Sequence, residues 1–152
     1  GAWLPQENGG QKRPQGACAS QSQRQKAAHL LIRDVIVLLT SVTLNQNSDF
    51  RRVYARGKVY TNPALVSYVL KNRAGICRIG ITTSKKIGNA VERNKSRRLI
   101  RAAFRNVYQE YGEYLDGYDF VFVARGKTRY KKSYDLERVM IAHLKKGDIL
   151  PR

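Results

Sequence analysis

From Lys85 to Arg105 the chain carries eight basic side chains (Lys85, Lys86, Arg93, Lys95, Arg97, Arg98, Arg101 and Arg105) and one acidic one, Glu92. On a helix, at about 100° per residue, Arg93, Asn94, Arg97, Arg98, Arg101 and Arg105 fall within an arc of roughly 140°. Ile100, Ala103, Phe104, Val107 and Tyr111 fill the neighbouring arc. Such a helix must bury one side and leave the adjacent side bare. Asn89 stands as an N-cap with Glu92 three residues on, the pattern of a capping box. The spacing predicts a helix from Ala90 to Tyr111, stopped by Gly112. One glutamate cannot neutralise its basic neighbours, and like charges four apart repel. The bare face therefore calls for a polyanion. Arginine dominates it, and the planar guanidinium binds phosphate bidentately and stacks on bases.

The flanking sequence supplies a sheet. Lys58–Tyr60 and Leu65–Leu70 are rich in Val and Tyr, with Asn62-Pro63 as a break and Asn72-Arg73-Ala74-Gly75 as a turn. Ile76 to Thr83 alternates Ile76, Arg78 and Gly80 against Cys77, Ile79 and Ile81, which is the period of a half-buried strand. Tyr118–Ala124 reads as a further strand. A first helix runs through Arg56, capped by Asn47 or Ser48 and ended by Gly57, with Phe50, Val53 and Tyr54 on one face. A last helix, capped by Ser133, runs to Lys146 and buries Leu136, Val139, Met140 and Leu144. Residues 1–40 read as an N-terminal extension of disordered character, 41–147 as one domain, and 148–152 as a C-terminal tail.

Charge narrows the function class. Twenty-nine Lys and Arg against eleven Asp and Glu give a formal net charge of +18 in 152 residues. That excess favours a nucleic-acid partner, since each phosphate neutralised releases counterions. Two cysteines, Cys18 and Cys77, make no disulfide framework, and His29 and His143 lack ligand-spaced neighbours, so no protein metal site is expected. The unbroken apolar run Val35–Leu39 is far shorter than the ~20 residues of a membrane helix, and no secretory signal pattern is expected. No carboxylate pair suits two-metal hydrolysis, and no nucleophile stands with a base, so no catalytic side chain is expected. Asp116 and Asp119 read as turn and strand-entry residues. The loop cations Arg125, Lys127, Arg129, Lys131 and Lys132 are either a solvated loop or a peripheral phosphate contact.

The run from Ser84 through Lys85-Lys86-Ile87-Gly88-Asn89-Ala90-Val91 to Arg93-Asn94, Arg97-Arg98 and Arg101 resembles the signature of the bacterial ribonuclease P protein family. The likeness extends upstream over Asn47–Gly57 and downstream over Asp119–Arg125, covering about residues 42–146. Residues 1–40 have no counterpart in it. The resemblance implies an α/β fold (α+β, two layers) like that of domain 2 of ribosomal protein S5. Its four-stranded sheet is packed with helices in the order αβββαβα, with a left-handed βαβ crossover where general handedness rules favour the right-handed form.

The resemblance also implies a division of labour. A catalytic RNA, holding Mg2+, cleaves precursor tRNA 5′ to the mature end; the protein assists as a cytoplasmic subunit, with no membrane and no protein partner required. Lys85, Lys86, Arg93, Asn94, Lys95, Arg97, Arg98, Arg101 and Arg105 are then the RNA-binding residues. Phe50, Tyr54, Val66 and Tyr68, bordered by Arg93 and Asn94, form a cleft for the single-stranded 5′ leader. Read without the resemblance, Phe50 and Tyr54 fit ordinary core packing. The alternatives are a non-catalytic RNA-binding protein of ribosomal or RNA-chaperone type, and a protein-only nuclease. Nothing resembles a helix-turn-helix or zinc finger.

Overall fold

The computed structural model describes residues 42–151; the reading of residues 1–40 lies outside them. The elements are β1 (Val42–Thr43), α1 (Asn47–Arg56), β2 (Lys58–Thr61), β3 (Leu65–Lys71), β4 (Arg78–Thr83), α2 (Ala90–Leu115), β5 (Tyr118–Ala124) and α3 (Ser133–Lys146). The protein is a mixed α/β structure in which one sheet has the order β1-β4-β5-β3-β2. The expected four strands are five. The extra strand, β1, pairs in parallel with β4 through Val42 and Thr43 only. Two residues are too few to leave a period in the sequence, and what places them is the burial of the adjacent Leu44, whose N–H donates to the Ile79 carbonyl.

Strand alternation sorts the sheet into two faces. Leu65, Val69, Ile79, Phe120 and Phe122 point to one, where α2 and α3 cover them with Ile100, Ala103, Phe104, Val107, Leu136, Met140 and Leu144. On the other face the register aligns three rows: Leu70, Asp119 and Arg78; then Val59, Tyr68, Val121 and Gly80; then Thr61, Val66, Val123 and Thr82. Helix α1 lies on this face, with Val53 fully buried against Leu44 and Val121. The approach depends on Gly80, because a Cβ there would meet the Phe50 ring at 2.6 Å.

The helix ends differ from expectation in instructive ways. Helix α2 is capped as read: the Asn89 side chain accepts from Glu92 N–H at 2.9 Å, and the Glu92 carboxylate accepts from Asn89 N–H at 3.1 Å. It does not stop at Gly112. After a kink at Tyr111 (φ −123°, ψ 18°) it continues to Leu115. A helical glycine costs about 1 kcal/mol, less than the roughly 1.5–3 kcal/mol from burying Leu115, which is fully enclosed. Neither Asn47 nor Ser48 caps α1; the N-cap is Gln46, and both residues lie in the first turn. Ser133 does not cap α3 either. Asp135 does that work, accepting from Lys132 N–H at 3.2 Å. Beyond α3 the chain still contributes to the core through Leu150, which is 2% exposed.

Two buried polar groups tie the layers together. On the α3 side His143 Nδ1 and Ser67 Oγ share a hydrogen bond at 2.8 Å. On the α1 side Asp119, fully buried, accepts from Arg78 Nε and Nη2 at 2.7 and 2.6 Å, from Asn72 Nδ2 at 2.7 Å and from Arg52 Nη2 at 3.2 Å. The expected strand-entry role understated this residue: it sits inside β5 and links four segments. Among the described residues no helix is long and apolar enough to cross a membrane.

Burial works to raise the Asp119 pKa, but the bonds from Arg78, Asn72 and Arg52 outweigh it and hold the carboxyl below its ordinary value. A depressed carboxylate contributes stability that is present above its unfolded pKa and lost as pH falls through the folded one. Asp119→Ala is expected to destabilise the domain by about 3 kcal/mol, because it strands the largely buried Arg78 charge. Denaturant unfolding at neutral pH measures the loss. The gap between variant and parent should narrow as the medium is acidified below the usual carboxylate range.

The His143 pKa is pushed down by burial and then by the nearby Lys146 charge. The unfolded chain therefore binds the proton better, and stability should fall as pH drops below about 6.5, the ordinary histidine value. Melting curves recorded from about pH 7.5 to about 5.5 should show this loss, and His143→Gln should flatten it.

Candidate nucleic-acid interface

The basic face of α2 is where the projection placed it. Ser96, Ile100, Ala103, Phe104 and Val107 are buried against the sheet, whereas Asn94, Lys95, Arg97, Arg98, Arg101 and Arg105 reach towards solvent. Ser96 is fully buried, its hydroxyl donating to the Glu92 carbonyl at 2.9 Å. Arg93 departs from the free arc. It is half-buried and turns back to the Gly88 carbonyl at 3.4 Å. Lys85 and Lys86 are exposed on a short 3-10 turn, Lys85–Ile87, anchored by the buried Ile87.

The single acid in this stretch serves the architecture. Besides its cap, Glu92 binds Arg129 Nη1 at 2.9 Å, and the same nitrogen donates to the Ile87 carbonyl at 2.9 Å. Gly88 (φ +143°) makes room, since any Cβ there would collide with the Glu92 carboxylate. So the second basic run is not simply a solvated loop. Arg129 clasps the start of α2, and buried Thr128 donates to the Ala64 carbonyl and accepts from Arg125 N–H at 2.9 Å. Arg125, Lys127, Lys131 and Lys132 remain exposed.

On the opposite face of the sheet three aromatic rings form a shelf. Tyr54 meets Tyr68 edge-on at 4.8 Å between centroids, and Phe50 lies 6.4 Å from Tyr54. Phe50 and Tyr68 are half-buried, Val66 is buried, and Tyr54 is 38% exposed. Phe50 is therefore in part a packing residue over Gly80, while Tyr54 presents ring surface to solvent. Its hydroxyl shares a hydrogen bond with Thr82 Oγ1 at 2.9 Å. One residue on, Thr83 Oγ1 accepts from Arg97 Nε at 3.0 Å. Adjacent strand residues point to opposite faces, so the end of β4 carries the aromatic shelf on one side and the arginine helix on the other. Strand β1 pairs no further than Ile79, so this end of β4 has no strand neighbour on that side among the described residues.

Sequence reasoning passed over Arg52 and Arg78. The signal was present: a carboxylate at Asp119, in phase with Val121 and Val123 on an apolar strand, requires charged partners. Arg78 sits opposite it in the register. Among the described residues no group of three or more His, Cys, Asp or Glu is placed to hold a metal ion. Burial pushes the Cys77 thiol well above its ordinary pKa, helped by the Asp116 and Asp119 charges, which makes it a poor nucleophile or ligand.

The comparisons with known proteins bear on the family and the fold. The family model described as Ribonuclease P matches residues 38–148. The ribonuclease P protein component of Clostridium botulinum (strain Loch Maree / Type A3) is 43% identical over 106 residues, spanning 70% of this chain and 94% of the relative. That of Clostridioides difficile (strain 630) is 42% identical over 106 residues, spanning 70% and 91%. The Staphylococcus aureus RNase P protein structure superposes with a TM-score of 0.60 at 28% identity, covering 72% of this chain and 97% of that one. The Thermotoga maritima RNase P protein gives 0.59 at 28%, covering 68% and 96%. With a family match across most of its length and relatives above 40% identity, the chain belongs to the ribonuclease P protein family.

Proposed function

We propose that the chain binds the catalytic RNA of ribonuclease P through the exposed face of α2, and the single-stranded 5′ leader of precursor tRNA on the Phe50–Tyr54–Tyr68 shelf. The observation that carries this reading is the meeting of the two surfaces at Thr82 and Thr83. An RNA held on the arginines and a strand stacked on the tyrosines come to one end of one strand. Arginine forks grip phosphates of folded RNA, while aromatic faces suit unpaired bases. Val66 and Tyr68 supply the floor beside Tyr54; in this reading Arg93 and Asn94, at the start of α2, also serve the leader. Lys85, Lys86 and Lys95 add phosphate contacts around the same helix start.

In this reading the protein takes part in endonucleolytic tRNA processing without donating a reacting group. Magnesium is held by the RNA. The described carboxylates nearest the α1 face, Asp49 and Asp119, are engaged by Arg52 and Arg78 and are poor resident ligands for it. What this chain does is bind, orient and select. A leader adds stacking that mature tRNA cannot offer. A simple RNA-binding module would share the arginine face and have no reason to set exposed aromatics beside it.

Replacing Arg98 and Arg101 with Ala should weaken binding to the catalytic RNA. The plot of log affinity against log salt should become shallower by roughly 0.7–0.9 for each phosphate no longer neutralised. Titrations at several salt concentrations measure it; unchanged affinity and slope would remove α2 from the interface.

Tyr54→Ala should cost the holoenzyme about 1–3 kcal/mol of affinity for precursor tRNA per base unstacked. Mature tRNA and catalytic RNA binding should stay as they were. Tyr54→Phe keeps the ring and removes only the bond to Thr82, so it should retain most of the preference. Equal weakening for both tRNAs, with an unchanged melting curve, would sink the shelf assignment.

A further inference from the structure

A second concave site lies on the α1 face, at the other end of the sheet from Thr82. Its floor includes Leu70 and Arg78, the two strand residues that flank the buried Asp119 in the register, and its volume is about 590 Å³. The polar side chains lining it are Arg52, Arg56, Lys71, Asn72, Arg73 and Arg78. Five cations thus face one basin. Two carboxylates offset them, and both are already engaged: Asp119 holds Arg78 and Arg52, and Asp49 lies 3.4 Å from Arg52 and 3.7 Å from Arg78. These bonds fix two guanidinium groups in the wall. Asn72, fastened to Asp119 and to the Ile76 carbonyl, fixes the loop that carries Arg73. Arg56, Lys71 and Arg73 are exposed, and no carboxylate bonds them among the described residues. The basin is thus a prearranged cationic cup with three charges in hand, which is the chemistry of a phosphodiester site.

We infer that this basin binds backbone phosphates of the leader strand beyond the nucleotides stacked on the Tyr54 shelf. The inference rests on the leader reading above and extends it. Both sites lie on the sheet face that carries α1, one on each flank of that helix: Phe50 and Tyr54 look to the shelf, Arg52 and Arg56 to the basin. The distance from Thr82 to Arg78 is four strand residues, about 13 Å. The surface assigned to the catalytic RNA belongs to α2, which packs on the opposite face. A single strand leaving the shelf and continuing across this face meets the basin next. The grip is on phosphate and carries no base preference, because no ring lines the cup.

The test measures holoenzyme affinity for precursor tRNAs of graded leader length, at several salt concentrations, with the parent and an Arg56→Ala/Arg73→Ala variant. The shortest leader ends where the Tyr54-dependent contribution saturates. With the parent, affinity should rise again as the leader lengthens past that point. In the double variant this second rise should vanish, and the salt slope for the long leader should fall by about 0.7 per phosphate released. Short-leader affinity and catalytic RNA affinity should not change. Lys71→Gln, on another part of the wall, should reduce the second rise by itself and keeps the test valid if the double variant melts early. An identical length dependence in parent and variants would overturn the inference, as would a loss confined to catalytic RNA binding. The underlying leader reading fails by a different result: no preference for a short-leader precursor over mature tRNA in the parent.

Discussion

Asp119 is the one fully buried carboxylate of the described domain, and its partners come from three segments: Arg52 on α1, Asn72 in the β3–β4 loop and Arg78 on β4. A charge so enclosed is tolerated only when its oxygens are saturated by donors, and here cationic forks supply most of them. The consequence is geometric. Arg52 ties α1 to the end of the sheet, so the helix cannot slide along the face. Val53 then falls over Val121, Phe50 over Gly80, and Tyr54 against Tyr68 and Thr82. The exposed ring of Tyr54 is thus positioned by an ion cluster on the far flank of its own helix.

A similar economy governs the other face. Glu92 closes the cap of α2 and receives Arg129 from the loop after β5. Its charge is used to orient the helix, and Arg98, Arg101 and Arg105 are left to solvent. Helix α2 therefore presents Arg98, Arg101 and Arg105 from a rigid element whose buried side is locked by Ile100, Phe104 and Val107. Rigid presentation matters for phosphate recognition, because ordering a long cationic side chain on binding costs conformational entropy.

Much of this is legible in the sequence, and the failures have physical causes. The basic face, the capping box, the strands Leu65–Lys71 and Tyr118–Ala124 and the family likeness all follow from periodic or contiguous patterns, to within a residue or two. Strand β1 escapes because two residues carry no period. Gly112 misleads because burying Leu115 outweighs a local propensity. Arg52, Arg78 and the basin escape for a different reason. Their partner lies 67 or 41 positions away in the chain, and only the sheet register brings Arg78 opposite Asp119. Arg129 likewise reads as one more loop cation, since its bond to Glu92 depends on tertiary packing.

The same ion pairs explain how a chain of net charge +18 keeps a compact domain. The acids Asp49, Asp119 and Glu92 are concentrated where cations must be held for architecture, beside Arg52, Arg78 and Arg129. Many of the remaining cations collect on two surfaces, the outer side of α2 and, as Arg56, Lys71 and Arg73, the basin beside α1. Each is spread over exposed positions, where solvent screening keeps mutual repulsion small. That repulsion is still a cost to the free protein, and a polyanion lying across either surface relieves it. Binding a polyanion and stabilising the fold are then coupled through the same charges. The coupling is strongest at low ionic strength, where both the repulsion and the counterion release that drives association are largest.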